Sequence, residues 1–468
     1  MASLYISAAH KSSGKTTVSI GLCAALKRRG INIQAFKKGP DYIDPAWLAM
    51  ASGNPCYNLD YFIAGEEETI LDYRRRSSSA DLSIIEGNKG LYDGLDLDGS
   101  NSNAALAKAI NSPVIMVVDA RGTIRGIAPL LIGYQVFDKD VNIAGVIANM
   151  TGGARHESKL RAAVEHYTDI PFLGALGKDD DNGIDQTHLG LIPGYEDPDC
   201  ERRIANISSA IENNIDLSRL IEVANTSAQF SDRIAELPGK KYQGLKIGIA
   251  RDRAFGFYYS ADLEAMERYG AELVFIDLLQ DKGLPEIDAL FIGGGFPERH
   301  AEALQANLAM RHAIRDAIEN YLPCYAECGG LMYLSRNIEW QGQDYEMVGV
   351  VPGDTHLHSK PRGRGYVKLE ENNSIWPGPS FAGDSFHAHE FHYSSLDNLP
   401  DSLNYAYNVR RGNGIINKSD GLIYKNLLAS YAHLRHTSST PWVSRFVEFA
   451  ATIRQNSKTP KVTSNIAH

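Results

Sequence analysis

The apolar run Leu4–Ala8 passes directly into the loop "AHKSSGK" and then into an amphipathic helical pattern over Thr16–Lys27. A strand, a small-residue loop and a helix in immediate succession turn backbone N–H groups and a helix N-terminus toward one point, which makes an anion site. Gly14-Lys15-Thr16 matches the end of the P-loop pattern, although Ala9 stands where the first glycine is usual. Ser13, Gly14, Lys15, Thr16 and Thr17 are therefore expected to hold nucleotide phosphates. Lys15 would neutralise the outer phosphates and Thr16 would hold Mg²⁺.

Apolar β-branched runs recur at Ile33–Phe36, Leu82–Glu86, Val114–Asp119, Ala144–Asn149 and Pro171–Ala175, mostly with helical patterns between them. That alternation predicts a doubly wound parallel sheet. A second cycle begins at Leu245–Ala250 and continues through "ELVFIDL" and "DALFIGGG", predicting a second α/β domain. A chain of 468 residues exceeds one ordinary core. The expected division is a P-loop domain over 1–235, a linker over 236–243, a second domain over 244–455 and a disordered tail over 456–468.

A net charge of −10, with no long basic run, argues against a nucleic-acid partner. No run approaches the ~18 apolar residues of a membrane-spanning helix, and no signal-peptide flank precedes the first strand. Five scattered cysteines fit a cytoplasmic protein better than a disulfide framework. The oligomeric state is open, with a homodimer as one option.

"KKGPDYIDP" puts Asp41 and Asp44 just after the second strand, and "SIIEGNKGLYDG" puts Glu86 at a strand end and Asp93 in the following loop. Strand C-termini of an open parallel sheet share one edge, where ligands bind. Asp44, Glu86 and Asp93 are expected to converge there on the phosphates, as Mg²⁺ ligands or as positioning groups.

In the second half, "LPCYAECGGLMYLS" has the form of a nucleophile elbow. A strand ends at Cys328, Gly329-Gly330 permit a sharp turn, and a helix follows. The helix terminus favours the thiolate, and the Gly329 N–H is a candidate oxyanion donor. A second donor is expected from Gly293-Gly294-Gly295, with Gly294 and Gly295 the candidates. His433, after the run Leu427–Tyr431, is the candidate base; Cys324 lacks the glycine pair and is the weaker nucleophile. Cysteine and distant histidine in an α/β domain suggest a glutaminase beside an ATP-using domain.

The chain resembles the cobyrinic acid a,c-diamide synthase family through "SSGKTT", "FKKGPDYIDP", "NLDYF", "IIEGNKGLYDG", "HLGLIP", "GGGFPE", "YAECGGLMYL", "AHEFHYS" and "ASYAHLRH", in family order over nearly its whole length. The resemblance implies a dethiobiotin-synthetase-like ATP domain fused to a class I glutamine amidotransferase domain. The implied reaction amidates the a and c acetates of a corrin with ATP, Mg²⁺ and glutamine. It makes Cys328 the nucleophile, His433 its base, Lys15 and Thr16 nucleotide contacts, and Asp44, Glu86 and Asp93 part of the ATP and tetrapyrrole site. Siroheme and nickel-sirohydrochlorin, which close relatives amidate, remain alternative rings.

Two positions depart from the pattern. Arg435 stands where many class I glutaminases carry Glu, although the resemblance implies a cobyrinate and cobyrate branch that commonly lacks that Glu and works with a Cys–His dyad; Trp47-Leu48 stand where several family members carry a histidine. The histidines of "HAHEFHYS" are expected to face the tetrapyrrole or a domain interface. A rival of another class is a P-loop ATPase switch or scaffold with a non-catalytic second domain; Cys328 with His433 counts against it.

Overall fold

The computed structural model describes residues 2–178, 186–187, 190–227, 237, 239, 241–372 and 383–458. Part of the expected linker, the tail from 459, and His188-Leu189 of the "HLGLIP" motif lie outside them. The chain divides into two compact units, Met1–Ala235 and Glu236–His468.

The first unit is built on strands β1 (Ala2–Ala8), β2 (Ile33–Lys38), β3 (Tyr57–Leu59), β4 (Leu82–Glu86), β5 (Val114–Asp119), β6 (Ile143–Thr151) and β7 (Phe172–Gly177). Their order is β3-β2-β4-β1-β5-β6-β7, with every pair parallel. Sheets of this kind are covered on both faces, which is why these strands read as continuous apolar runs. Leu4, Ile6 and Ala8 of β1 join Leu82 and Ile84 of β4 in one core with Val18, Leu22 and Ala25 of helix α1 (Lys15–Arg28). β3, only three residues long, carries no periodic signal and was not expected from the sequence.

Close approach dictates Gly21 in α1. A Cβ there would come within 2.5 Å of Ile211 Cγ1 on the helix Cys200–Asn214 packed against it. Helix α2 (Ile43–Ser52) follows β2 and buries Trp47 and Leu48 completely. The Trp47 indole N–H donates to the Ile192 carbonyl at 2.8 Å, so this departure from the family pattern is a core residue with its polar atom satisfied.

The second unit has a nine-stranded mixed sheet. Its strands run in the order Ala271–Ile276, Leu245–Ala250, Ala289–Ile292, Cys324–Glu327, Leu427–Ser430, Ser419–Tyr424, Asn404–Arg411, Gly363–Glu371, Ser385–His392. The first five are mutually parallel and the remainder antiparallel. Side chains alternate between two cores, as a period of two requires. Cys324 and Ala326 join Leu290 and Ile292 on one side, while Tyr325 joins Ala289, Phe291 and Phe446 on the other.

Replacing Trp47 with alanine is expected to destabilise the first unit by about 3–5 kcal/mol, the usual range for emptying a large aromatic site. Denaturant unfolding checks this; a loss below about 1 kcal/mol would contradict a packed core role.

Candidate active site

The loop after β1 ends at Gly14, which caps α1 with φ 89°. Only glycine fits: a Cβ would fall 1.9 Å from Asn149 Nδ2, and that amide donates to the Ser13 carbonyl at 3.0 Å. Asn149, on β6, thus braces the loop from a distant part of the sequence. Ser13 Oγ donates to the His10 carbonyl at 2.9 Å, and Lys15 Nζ donates to the same oxygen at 3.3 Å. Thr17 is half-buried in the first turn of the helix. Burial, together with the positive charge of Lys37, pulls the Lys15 ammonium down to about 8. An anionic ligand would relieve both effects.

Strand register assembles the carboxylates. Lys37 and Glu86 are paired positions at the carboxyl ends of β2 and β4. Their side chains meet at 2.8 Å, and Lys37 also reaches Asp44 at 2.5 Å and Asp41 at 3.8 Å. Thr16 Oγ1 donates to Glu86 Oε1 at 2.6 Å and to Asp44 Oδ2 at 3.3 Å. Thr16, Asp44 and Glu86 therefore form one cluster, with Lys37 as its counter-charge. Asp41 accepts from the Ile43 and Asp44 amides at 3.0 and 3.1 Å, a turn-capping role. Asp93 accepts from Gly90 N–H at 2.9 Å and lies near enough to Lys15 to favour its charged form.

Glu86 Oε2 is buried without a hydrogen-bond partner. Among the described residues no group of three or more His, Cys, Asp or Glu gathers as a metal site. Mg²⁺ delivered with a nucleotide keeps phosphate and water ligands, so two carboxylates, one with an unused oxygen, and a hydroxyl fit that ion.

In the second unit Cys328 joins the strand Cys324–Glu327 to the helix Gly329–Leu334 with φ 48° and ψ −100°. A non-glycine residue held there is strained, and such strain characterises a nucleophile elbow. The glycines that follow are needed for contact. A Cβ on Gly329 would lie 2.9 Å from Gly295 N, and one on Gly330 would lie 2.2 Å from the Ile292 carbonyl. Gly294 abuts the His433 ring, where a Cβ would meet Cε1 at 2.6 Å. Gly295 and Gly329 thus pack against each other, and Gly294 packs against the His433 ring, beside the Cys328 turn. Gly293 N–H instead donates to the Tyr258 hydroxyl at 2.8 Å.

His433 is buried beside Cys328 and hydrogen-bonds to it. Burial opposes the charged ring, but the hydrogen bonds to Cys328 and Glu327 outweigh it and raise His433 to about 10. Glu327, the residue before the cysteine, places Oε2 3.3 Å from His433 Nδ1. The strand Ser385–His392 closes the other side: His389 and His433 exchange backbone hydrogen bonds at 2.7 and 3.3 Å, and the Phe391 carbonyl lies 3.9 Å from Cys328 Sγ. The "HAHEFHYS" segment therefore borders the cysteine site. Burial lowers His389 to about 3 and His392 to about 4, with His433 also repelling both, so they stand neutral beside it.

Residues 6–189 match the CobQ/CobB/MinD/ParA nucleotide binding domain, and residues 246–441 match the CobB/CobQ-like glutamine amidotransferase domain. A cobyrinate a,c-diamide synthase of Magnetococcus marinus is 42% identical over 453 residues, covering 95% of this chain and 96% of the relative. Enzymes of the same name from Methanosarcina barkeri and Methanosarcina acetivorans are each 39% identical, over 98% and 96% of this chain and 97% and 95% of their own. The chain belongs to the cobyrinate a,c-diamide synthase family.

Sequence reasoning did not name every residue that these two clusters bring together. Glu327, Asn149 and Lys37 were not among the candidate residues. The overlooked signal in Glu327 is the one that singled out Glu86: a carboxylate closing a buried apolar strand. Arg435 is buried with its guanidinium 5.8 Å from the centre of the Tyr259 ring.

Lys37→Met removes the counter-charge and gives a pH-dependent loss. Burial raises Glu86 from the ordinary 4.5 to about 7, with Lys37 opposing, so its ionisation costs stability as pH rises between those values. Burial disfavours the Lys37 ammonium, yet Asp44 and Glu86 raise it above its usual range, so its contribution persists through neutral pH. The variant should lose about 3–5 kcal/mol at pH 8, the range for breaking a buried pair, and distinctly less at pH 5, where Glu86 is protonated. Equal losses at both pH values would contradict the counter-charge role.

Proposed function

We propose that this chain amidates the a and c acetate carboxylates of cobyrinate, using ATP and ammonia drawn from glutamine. The observation that carries the reading is one chain holding both a strained Cys328 hydrogen-bonded to His433 and a nucleotide-type loop beside buried carboxylates. The substrate follows from the name shared by the relatives. The proposed division is an ATP-dependent amidoligase domain over 1–235, a linker over 236–243 and a glutaminase domain over 244–455, at work in the cytoplasm.

In the glutaminase half-reaction the Cys328 thiolate attacks the glutamine side-chain carbon, and His433 protonates the departing ammonia. Backbone N–H groups among Gly294, Gly295 and Gly329 take the oxyanion charge. Water, deprotonated by His433, then releases glutamate from the thioester. In the other half-reaction the substrate carboxylate attacks the γ-phosphate of ATP, and ammonia displaces phosphate from the acyl phosphate. Activation is needed because a carboxylate repels nucleophiles and oxide is a very poor leaving group. Ser13, Gly14, Lys15, Thr16 and Thr17 cradle the phosphates, and Asp44 and Asp93 orient the reactants near Lys15. Mg²⁺ accompanying ATP would be held by Thr16, Asp44 and Glu86 and would neutralise charge on the transferring phosphoryl group.

The direct test supplies ATP, glutamine and either cobyrinate, siroheme or nickel-sirohydrochlorin, and counts amides by mass spectrometry. Two amides on cobyrinate are expected; amidation of another ring alone would reassign the substrate, and ATP hydrolysis without any amide would favour a switch.

Cys328→Ser should abolish glutamine-supported amidation while leaving amidation with high ammonia largely intact. Equal loss with both donors would contradict two separate sites. Lys15→Ala should reduce synthesis with either donor by roughly a hundredfold, the scale of a lost electrostatic contact to a transferring group. Near-parental rates would remove the loop from the reaction.

A further inference from the structure

We infer that Glu327 is the positioning residue of the glutaminase site, supplying from the nucleophile's own strand the carboxylate that Arg435 displaces after the histidine. The inference rests on the glutaminase reading and adds to it the third member of the relay.

The geometry is specific. Glu327 is buried, and its Oε2 faces His433 Nδ1 at 3.3 Å. Its other oxygen, Oε1, accepts from the Tyr325 hydroxyl at 2.7 Å and from Leu434 N–H at 2.8 Å. The carboxylate is therefore fixed by two donors that do not touch the thiol, and its remaining oxygen lies within ion-pair distance of the imidazole. One of those donors belongs to the residue after His433, so Glu327 holds the ring and its backbone together. Strand pairing sets the approach: Glu327 is in register with Ser430, three residues before His433.

A carboxylate at Nδ1 accepts a hydrogen bond from that nitrogen and leaves Nε2 to exchange protons at the reacting centre. During thioester formation the Nε2 proton passes to the departing ammonia. During hydrolysis Nε2 regains a proton from water, and the C–S bond breaks to restore the thiolate. Throughout, Glu327 keeps the ring oriented from the Nδ1 side and stabilises the imidazolium. Arg435, being cationic, would repel that imidazolium and cannot substitute for it.

Glu327→Gln tests this. The amide oxygen can still accept from Tyr325 and Leu434, but the amide NH₂ faces Nδ1 and favours the tautomer with its proton on Nε2. Glutaminase kcat should fall roughly a hundredfold or more, as for tautomer-reversing changes in other relays, with KM for glutamine within about threefold. Ammonia-supported amidation should remain parental, and the His433 titration should move down. Glu327→Asp, which keeps the charge, should recover part of kcat. Glutaminase kcat within about threefold of the parent in Glu327→Gln would overturn the inference. Absence of glutamate release by the parent protein would overturn the underlying reading, and this inference with it. ¹⁵N-histidine spectra of the unmodified protein give a measure that needs no variant to fold. Nδ1 should stay protonated from pH 6 to about 9, and a neutral ring protonated at Nε2 instead would overturn the assignment.

Discussion

A carboxylate closing a buried parallel strand has no water to stabilise its charge, and both units of this chain are organised around satisfying one. In the first, Glu86 ends β4 and is met by Lys37 from the neighbouring strand and by the Thr16 hydroxyl. In the second, Glu327 ends its strand and is met by His433, Tyr325 and the Leu434 amide. Removing either partner would leave a buried charge uncompensated, a far larger penalty than losing a surface pair. The partners are therefore confined to narrow positions. Since those positions lie at the carboxyl edges of parallel strands, charge is concentrated where a ligand can reach it.

The same requirement explains why strain and glycine cluster at these edges. Cys328 keeps φ 48° because Glu327 on one side is tied to the sheet and Gly329-Gly330 on the other press against Gly295 and Ile292. Gly14 keeps φ 89° because Asn149 fills the space a side chain would need. In both places the surrounding packing fixes a left-handed backbone, strained at Cys328 and requiring glycine at Gly14, and leaves the thiol or the small-residue loop at its crest.

The strands of the first unit were legible because a sheet covered on both faces writes itself as apolar runs. β3 was not, because three residues cannot display a period. In the second unit the parallel strands were read, but the antiparallel extension was not. Strands such as Gly363–Glu371 and Asn404–Arg411 mix charged and apolar residues with half-exposed faces, and their pairing depends on partners far along the chain. Site residues followed the same rule. Cys328, His433, Lys15 and Asp44 stand in recognisable local contexts, whereas Asn149 acquires its contact only through the order of strands in space. Glu327 was visible as a strand-closing carboxylate, but its partner lies 106 positions away, and only the register of Glu327 with Ser430 brings them together.

That register gives the glutaminase site a particular logic. In a relay assembled from three separate segments, each group carries its own positional error. Here Glu327 and Cys328 are consecutive residues, so the thiol and the carboxylate that orients its base move as one strand end. His433 is held between them by the Glu327 contact on one nitrogen and by backbone hydrogen bonds to His389. With Glu327 beside one ring nitrogen and the backbone tied to His389, the histidine does not depend on a carboxylate two residues after it. Position 435 is then free to carry a cation that packs over Tyr259 and favours the charged form of the buried Asp262 carboxyl. The cation at Arg435 is thus compatible with an orienting group that the fold supplies from the strand ending at Glu327.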